Sequence, residues 1–122
     1  MFKARKYKVK SEFIIRVAAG KWSIRAGGAV LGETKKALEL YEGDSKPALY
    51  FTKKDLAMAF FERTGHEIIH PQKGTIGYYS KVTKSQTLEN IAWEFIAPRP
   101  EVVDLLYYVS FASTSAITIE RL

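Results

Sequence analysis

The chain reads as a mainly β (α+β) domain, a small antiparallel β-barrel or folded-over sheet with one packed α-helix. Three observations predict this. Short runs of alternating apolar and polar residues recur along the chain, Gly or Pro clusters separate them, and one stretch near the middle carries helical periodicity. Phe13, Ile15 and Val17 alternate with Ile14 and Arg16, and Trp22 and Ile24 alternate with Ser23 and Arg25. Gly27-Gly28 between two extended runs is a hairpin turn rather than a phosphate loop, since no helix signal follows it and no third glycine completes a dinucleotide fingerprint. Gly43-Asp44-Ser45-Lys46-Pro47 is a second loop, before a short strand at Ala48-Leu49-Tyr50-Phe51.

The helix is expected to open at Thr52, with Asp55 three positions on in a capping box. Leu56, Ala59, Phe60 and Arg63 share its docking face, and Gly65 stops it. An isolated helix of about 12 residues is marginal in water, so the Leu56/Phe60 stripe should dock on a sheet. Ile68-Ile69, Gly77 to Val82, Thr87 to Phe95 and Ala116 to Leu122 read as strands, with Lys84-Ser85-Gln86 as a hairpin loop. Pro98-Arg99-Pro100 forces an extended connection, and Glu101 to Leu106 suits a short helix opened by Pro100.

A chain of 122 residues fits one domain, read as 11–122 behind a basic N-terminal tail at 1–10. Its 47% hydrophobic and 26% charged residues are ordinary for a folded globular protein. With no cysteine there is no disulfide, thiolate metal site or thiol nucleophile. No secretory signal is visible, and the greasiest segment, Val102 to Ala112, is interrupted by Asp104 and far short of the ~20 apolar residues of a membrane helix. The expectation is a soluble, cytoplasmic protein with no membrane partner. The net charge of +6 belongs to the tail: Lys3, Arg5, Lys6, Lys8 and Lys10 supply five of it with no acid among the first ten residues. A solvated terminus or a Lys-protected edge strand accounts for this ahead of a polyanion-binding arm, so nucleic acid is expected to bind weakly at most, through the tail.

The rarest combination of residue types is His70-Pro71-Gln72-Lys73-Gly74-Thr75-Ile76-Gly77-Tyr78-Tyr79, followed by Asn90-Ile91-Ala92-Trp93. Lys73, between a proline turn and a glycine, can present an ammonium to an anion; its bland alternative is a surface lysine in a hairpin turn. Tyr78, Tyr79 and Trp93 bring apolar bodies with polar tips, although aromatic residues on strands usually belong to the core. Tyr78 and Tyr79 must point to opposite faces of a strand. Asn90 can fix a ligand or bridge strands. His66 and His70 are four apart, but Pro71 and Ile68-Ile69 make the segment extended, which separates the rings by about 13 Å, too far to share an ion at ~2.1 Å. Each is read as a structural group first and a general base second.

Glu89-Asn90-Ile91-Ala92-Trp93 and His70-Pro71-Gln72-Lys73-Gly74, with Thr34-Lys35-Lys36-Ala37, Tyr50-Phe51 and Asp55, resemble the family catalogued as domain of unknown function 427, which carries a nucleotidyltransferase-like label. The likeness covers about residues 20 to 122. It implies a cysteine where this chain has His70, so a family mechanism built on a thiolate would here be absent or rebuilt on imidazole.

The favoured reading is a small-ligand or partner-binding β module with a polar and aromatic pocket drawn from Lys73, Tyr78, Tyr79, Asn90, Trp93 and His66, and with a small polar or anionic ligand. No cofactor is expected. The alternative is a nucleotide-handling enzyme in which Lys73 meets phosphate, Mg²⁺ is held by Glu42, Asp44 or Glu89, and His70 or His66 is the base. Against it, Glu42-Gly43-Asp44 sits where turn chemistry already explains the residues, and no glycine-rich loop precedes a helix. A third reading assigns every motif to fold maintenance. The oligomeric state is left open.

Overall fold

A computed structural model describes residues 13–82 and 86–122. The described residues form ten strands: β1 Phe13–Val17, β2 Trp22–Ala26, β3 Ala29–Thr34, β4 Leu38–Glu42, β5 Ala48–Thr52, β6 Phe61–His70, β7 Gly74–Val82, β8 Thr87–Pro98, β9 Tyr108–Phe111 and β10 Ile117–Arg121. All named pairings are antiparallel. One sheet has seven strands in the order β1-β4-β5-β9-β8-β7-β6, and the other has three in the order β10-β2-β3. Among the described residues β1 and β6 are the outermost strands of the larger sheet and do not pair with each other, so it does not close into a barrel. The expected tail at 1–10 lies outside the described residues, as do Lys84 and Ser85 of the expected hairpin loop.

Strand alternation sends neighbouring residues to opposite faces, and both faces of the larger sheet are covered. Phe51, Phe61, Val109 and Phe111 meet Ile24, Ala26 and Leu31 of the smaller sheet on one face. On the other, Tyr50, Ile76 and Phe95 pack with Leu40 and with Val102 and Leu105, which a 3-10 segment at Pro100–Leu105 lays over the sheet. That segment is the short helix expected after Pro100, wound more tightly. Tyr50 and Phe51 divide as a strand requires, one to each core.

The α-helix expected from Thr52 to Gly65 is not formed. Two 3-10 turns, Lys53–Asp55 and Met58–Phe60, lead directly into β6. The expected capping box fails at both ends. Thr52 makes no side-chain capping bond, and Asp55 is engaged elsewhere, accepting a 2.8 Å hydrogen bond from Thr34 Oγ1. Leu56 bridges to Gly32 of β3, and the Ala57 N–H donates to the Leu31 carbonyl at 2.8 Å. Fixing this segment to β3 and then to β7 outweighs helix preferences of a few tenths of a kcal/mol per residue. Leu56 is buried as expected, but Phe60 is left 52% exposed.

The β7–β8 ladder is long and slips twice. Between Tyr79 and Lys81 of β7, the partner strand advances from Ala92 to Leu88, so β8 carries extra residues there. β6 does the same against β7, between Arg63 and Glu67. Asn90, with φ 51°, takes the left-handed turn that absorbs the excess in β8, a conformation asparagine tolerates better than most residues. At the opposite end, Gly74 has φ 104°, and a Cβ there would run into the Ala97 carbonyl. The close approach that this glycine permits is therefore to β8 itself.

Two measurements check this arrangement. In urea unfolding, Phe51→Ala is expected to cost about 3–5 kcal/mol and Phe60→Ala less than about 1 kcal/mol, the reverse of what a helix docked through Phe60 would give. Gly74→Ala should cost about 2 kcal/mol or more, because the backbone strain and the contact with β8 act together.

Candidate functional site

Tyr78 of β7 lies opposite Trp93 of β8, and both pack against the Tyr50/Phe95 core. Their rings are 6.2 Å apart. The Trp93 indole Nε1 donates to the Tyr50 hydroxyl at 3.4 Å, while the Tyr50 ring stacks on Phe95 at 5.9 Å. Burial pushes the Tyr50 phenol up to about 12; the Trp93 hydrogen bond works against this, and the nearby Glu42 carboxylate and Tyr78 add to it. The hydroxyl therefore keeps its proton at neutral pH and can both donate and accept. The bulge in β6 brings His66 over Tyr78, with ring centroids 4.8 Å apart.

Lys73 joins this face from the β6–β7 turn. Its ammonium is 2.8 Å from Glu42 Oε1 at the end of β4, with the lysine side chain 14% exposed, and it also lies 6.0 Å from the Phe13 ring. The turn is tied down on both sides: the Lys73 N–H donates to the His70 carbonyl, and the Arg99 N–H donates to the Lys73 carbonyl at 2.9 Å. Lys73, Glu42, Tyr50, Trp93, Tyr78 and His66 thus share one face of the larger sheet. Of the sequence-predicted site residues, four are here: Lys73, Tyr78, Trp93 and His66. Glu42, considered for metal, serves as the counter-ion of Lys73. Beside Trp93 opens a hollow of about 490 Å³, bounded also by Lys46, Ala48, Ser110, Thr114 and Ile117. Among the described residues Lys46 has no carboxylate at ion-pair distance.

The others lie apart. Asn90 is roughly 20–25 Å along β8 from Pro98, the residue opposite Gly74. Its side chain accepts from Thr64 Oγ1 at 3.0 Å and its N–H donates to Ser80 Oγ at 2.9 Å. It ties the two bulges together across β7. His70 Nδ1 accepts the Gln72 N–H at 3.1 Å within the turn. Asp44 and Glu89 are exposed, and no group of three His, Asp or Glu that could hold a metal occurs among the described residues. Thr34, from the first motif, accepts the Lys36 N–H at 3.0 Å as well as donating to Asp55.

Tyr79 points to the other face, as alternation demands, and enters a network that sequence reasoning missed. Its hydroxyl donates to Glu94 in a short hydrogen bond. Glu94 is 4% exposed, and Lys53 Nζ closes on it at 3.1 Å. The Arg63 guanidinium lies 5.4 Å from the Tyr79 ring and runs over Gly77, where a Cβ would block it. Burial raises the Tyr79 phenol, and Glu94 raises it further against the opposing pull of Lys53. Burial alone would lower Lys53, but Glu94 and Tyr79 outweigh it and the net shift is upward. The sequence signal was available: an acid inside Ile91-Ala92-Trp93-Glu94-Phe95-Ile96 is a charge in a strand buried on both faces, which must have a partner.

The model of the family described as Domain of unknown function (DUF427) matches residues 15–121, which takes in nine whole strands and most of β1. A search of the curated proteins gives no match. No helix among the described residues is long and apolar enough to cross a membrane.

The network sets a pH dependence. Tyr79 and Lys53 both hold their protons more tightly folded than unfolded, so their contribution is complete below about pH 10 and is lost as pH rises past that value. Tm followed by circular dichroism is expected to fall between about pH 9 and about pH 11, and to fall less steeply in Tyr79→Phe. At about pH 9 that variant should already be less stable by about 1–3 kcal/mol, since it leaves a buried carboxylate short of a donor.

Proposed function

The chain belongs to the DUF427 family, and we propose that it is a β module that binds a small polar or anionic ligand, with Trp93 as the floor of the site. The observation that carries this reading is the position of the Trp93 indole. It is half-buried, its N–H is turned to the Tyr50 hydroxyl, and it borders the hollow that holds Lys46, Ser110 and Thr114. A ring or short apolar body laid on the indole gains dispersion and area burial, while Lys46 and the hydroxyls select a polar or negative end. Lys73 acts on this site at one remove: by neutralising Glu42 it removes a negative charge that would otherwise repel an anion from the Tyr50 side.

The nucleotidyltransferase-like reading has one observation in its favour, the meeting of Lys73 and Glu42. The same 2.8 Å contact counts against it, because the cation meant for phosphate and the carboxylate meant for metal already neutralise each other.

The test uses the two tryptophans. In Trp22→Phe the remaining indole is Trp93, and a metabolite library titrated against its emission should give ligands that shift it and raise Tm. Affinity for those ligands is expected to drop about tenfold or more in Trp93→Ala and to fall in Lys46→Ala when the ligand is anionic. The reading fails if no library member moves Trp93 emission, or if the ligands found bind Trp93→Ala as well as they bind the parent. Binding of a nucleoside triphosphate with Mg²⁺ that vanishes in Lys73→Met would transfer the assignment to the enzyme reading.

A further inference from the structure

We infer a second binding site, independent of the Trp93 hollow, in which Lys81 receives the negative head of a small organic anion. Lys81 is 7% exposed. Its ammonium stands 5.2 Å from the Phe60 ring and reaches the Val82 carbonyl at 3.4 Å. Among the described residues no carboxylate lies within ion-pair distance of it. Lys53 and Lys73, the other two lysines drawn into the fold, each have a glutamate. A lysine so placed gives up part of its hydration with no fixed counter-charge among the described residues in return.

What Lys81 faces makes that loss intelligible. It lines a hollow of about 750 Å³ at the end of the two-sheet core, bounded also by Arg25, Phe60, Leu88, Ser115 and the Gly27-Gly28 turn. That volume lies in the range of small-molecule sites, roughly 300–1,000 Å³. No Asp or Glu is among the described residues lining it, and Arg25 adds a second cation without a carboxylate at ion-pair distance. The charge is therefore complementary to an anion. Phe60, exposed at the end of the 3-10 turn Met58–Phe60, supplies a ring face beside the ammonium, and Leu88 and Val82 add apolar wall. A carboxylate or phosphate on a compact ring fits both halves: the head meets Lys81 and Arg25, and the ring lies on Phe60.

Benzoate and phenyl phosphate are suitable probes, since they share the ring and differ in the head. Titrated into the ¹⁵N-labelled protein, at least one should give saturable amide shifts centred on Gly27, Gly28 and Lys81, and the stronger of the two identifies the head. Lys81→Met is expected to weaken that binding by about tenfold or more and to raise the Tm of the free protein, because the buried charge is gone. Arg25→Gln, on the exposed rim, should weaken binding with Tm unchanged, and Trp93→Ala should leave these shifts in place, which separates this site from the one proposed above. The inference is overturned if neither probe gives saturable shifts at about 20 mM, or if Lys81→Met binds as the parent does. A fall in Tm on Lys81→Met also overturns it, because the ammonium then belongs to the fold.

Discussion

The pairing of β7 with β8 is the constraint on which the rest of the molecule depends. Over their central parts both strands are covered on two faces, so the residues there are committed to one core or the other. Tyr78 and Trp93 go to the Tyr50/Phe95 side, while Tyr79 and Glu94 go to the side shared with the smaller sheet. Moving β8 by one residue would bring the Glu94 carboxylate into the Tyr50 core and the Phe95 ring against Lys53, and no local adjustment could repair that. The slips fall where one strand carries extra residues, at Ile96 and around Asn90 in β8 and at Thr64-Gly65-His66 where β6 meets β7.

Three lysines show how differently the same side chain can be used once it is drawn into such a fold. Lys53 completes a buried carboxylate that the Tyr79 hydroxyl alone would leave charged and underbonded. Lys73 closes a turn onto the end of a distant strand, joining residues 31 positions apart in sequence. Lys81 has neither task. In the first two the cation's loss of water is balanced by a fixed negative charge, and in the third the balance is left open.

Much of the architecture was legible in the chain because strand signals are local and repeated. Alternation at Phe13 to Val17 and Trp22 to Ala26, paired glycines at 27 and 28, and the split between Tyr78 and Tyr79 all follow from a period of two. The segment after Thr52 misled for the same reason. Its capping residues and apolar spacing are also local, whereas what fixes it is Thr34 and Leu31, more than twenty residues earlier. The candidate site was legible in residue type and only partly in grouping. Lys73, Tyr78, Trp93 and His66 meet on one face, yet nothing in their spacing foretold that Tyr50 would be their hub or that Asn90 would be occupied in turning β8.

The bulge in β6 has a consequence beyond aligning His66. Among the described residues β6 is the longer of the larger sheet's two edges, ten residues against five in β1, and it exposes Ile68 and Ile69 to 39% and 80%. A flat edge of that length and greasiness is a template on which a stray chain can add itself as the next strand. The bulge at Thr64-Gly65-His66 cuts the unbroken run to a few residues and twists it. The same kink that carries an imidazole onto a tyrosine thus helps keep neighbouring molecules from joining into fibrils.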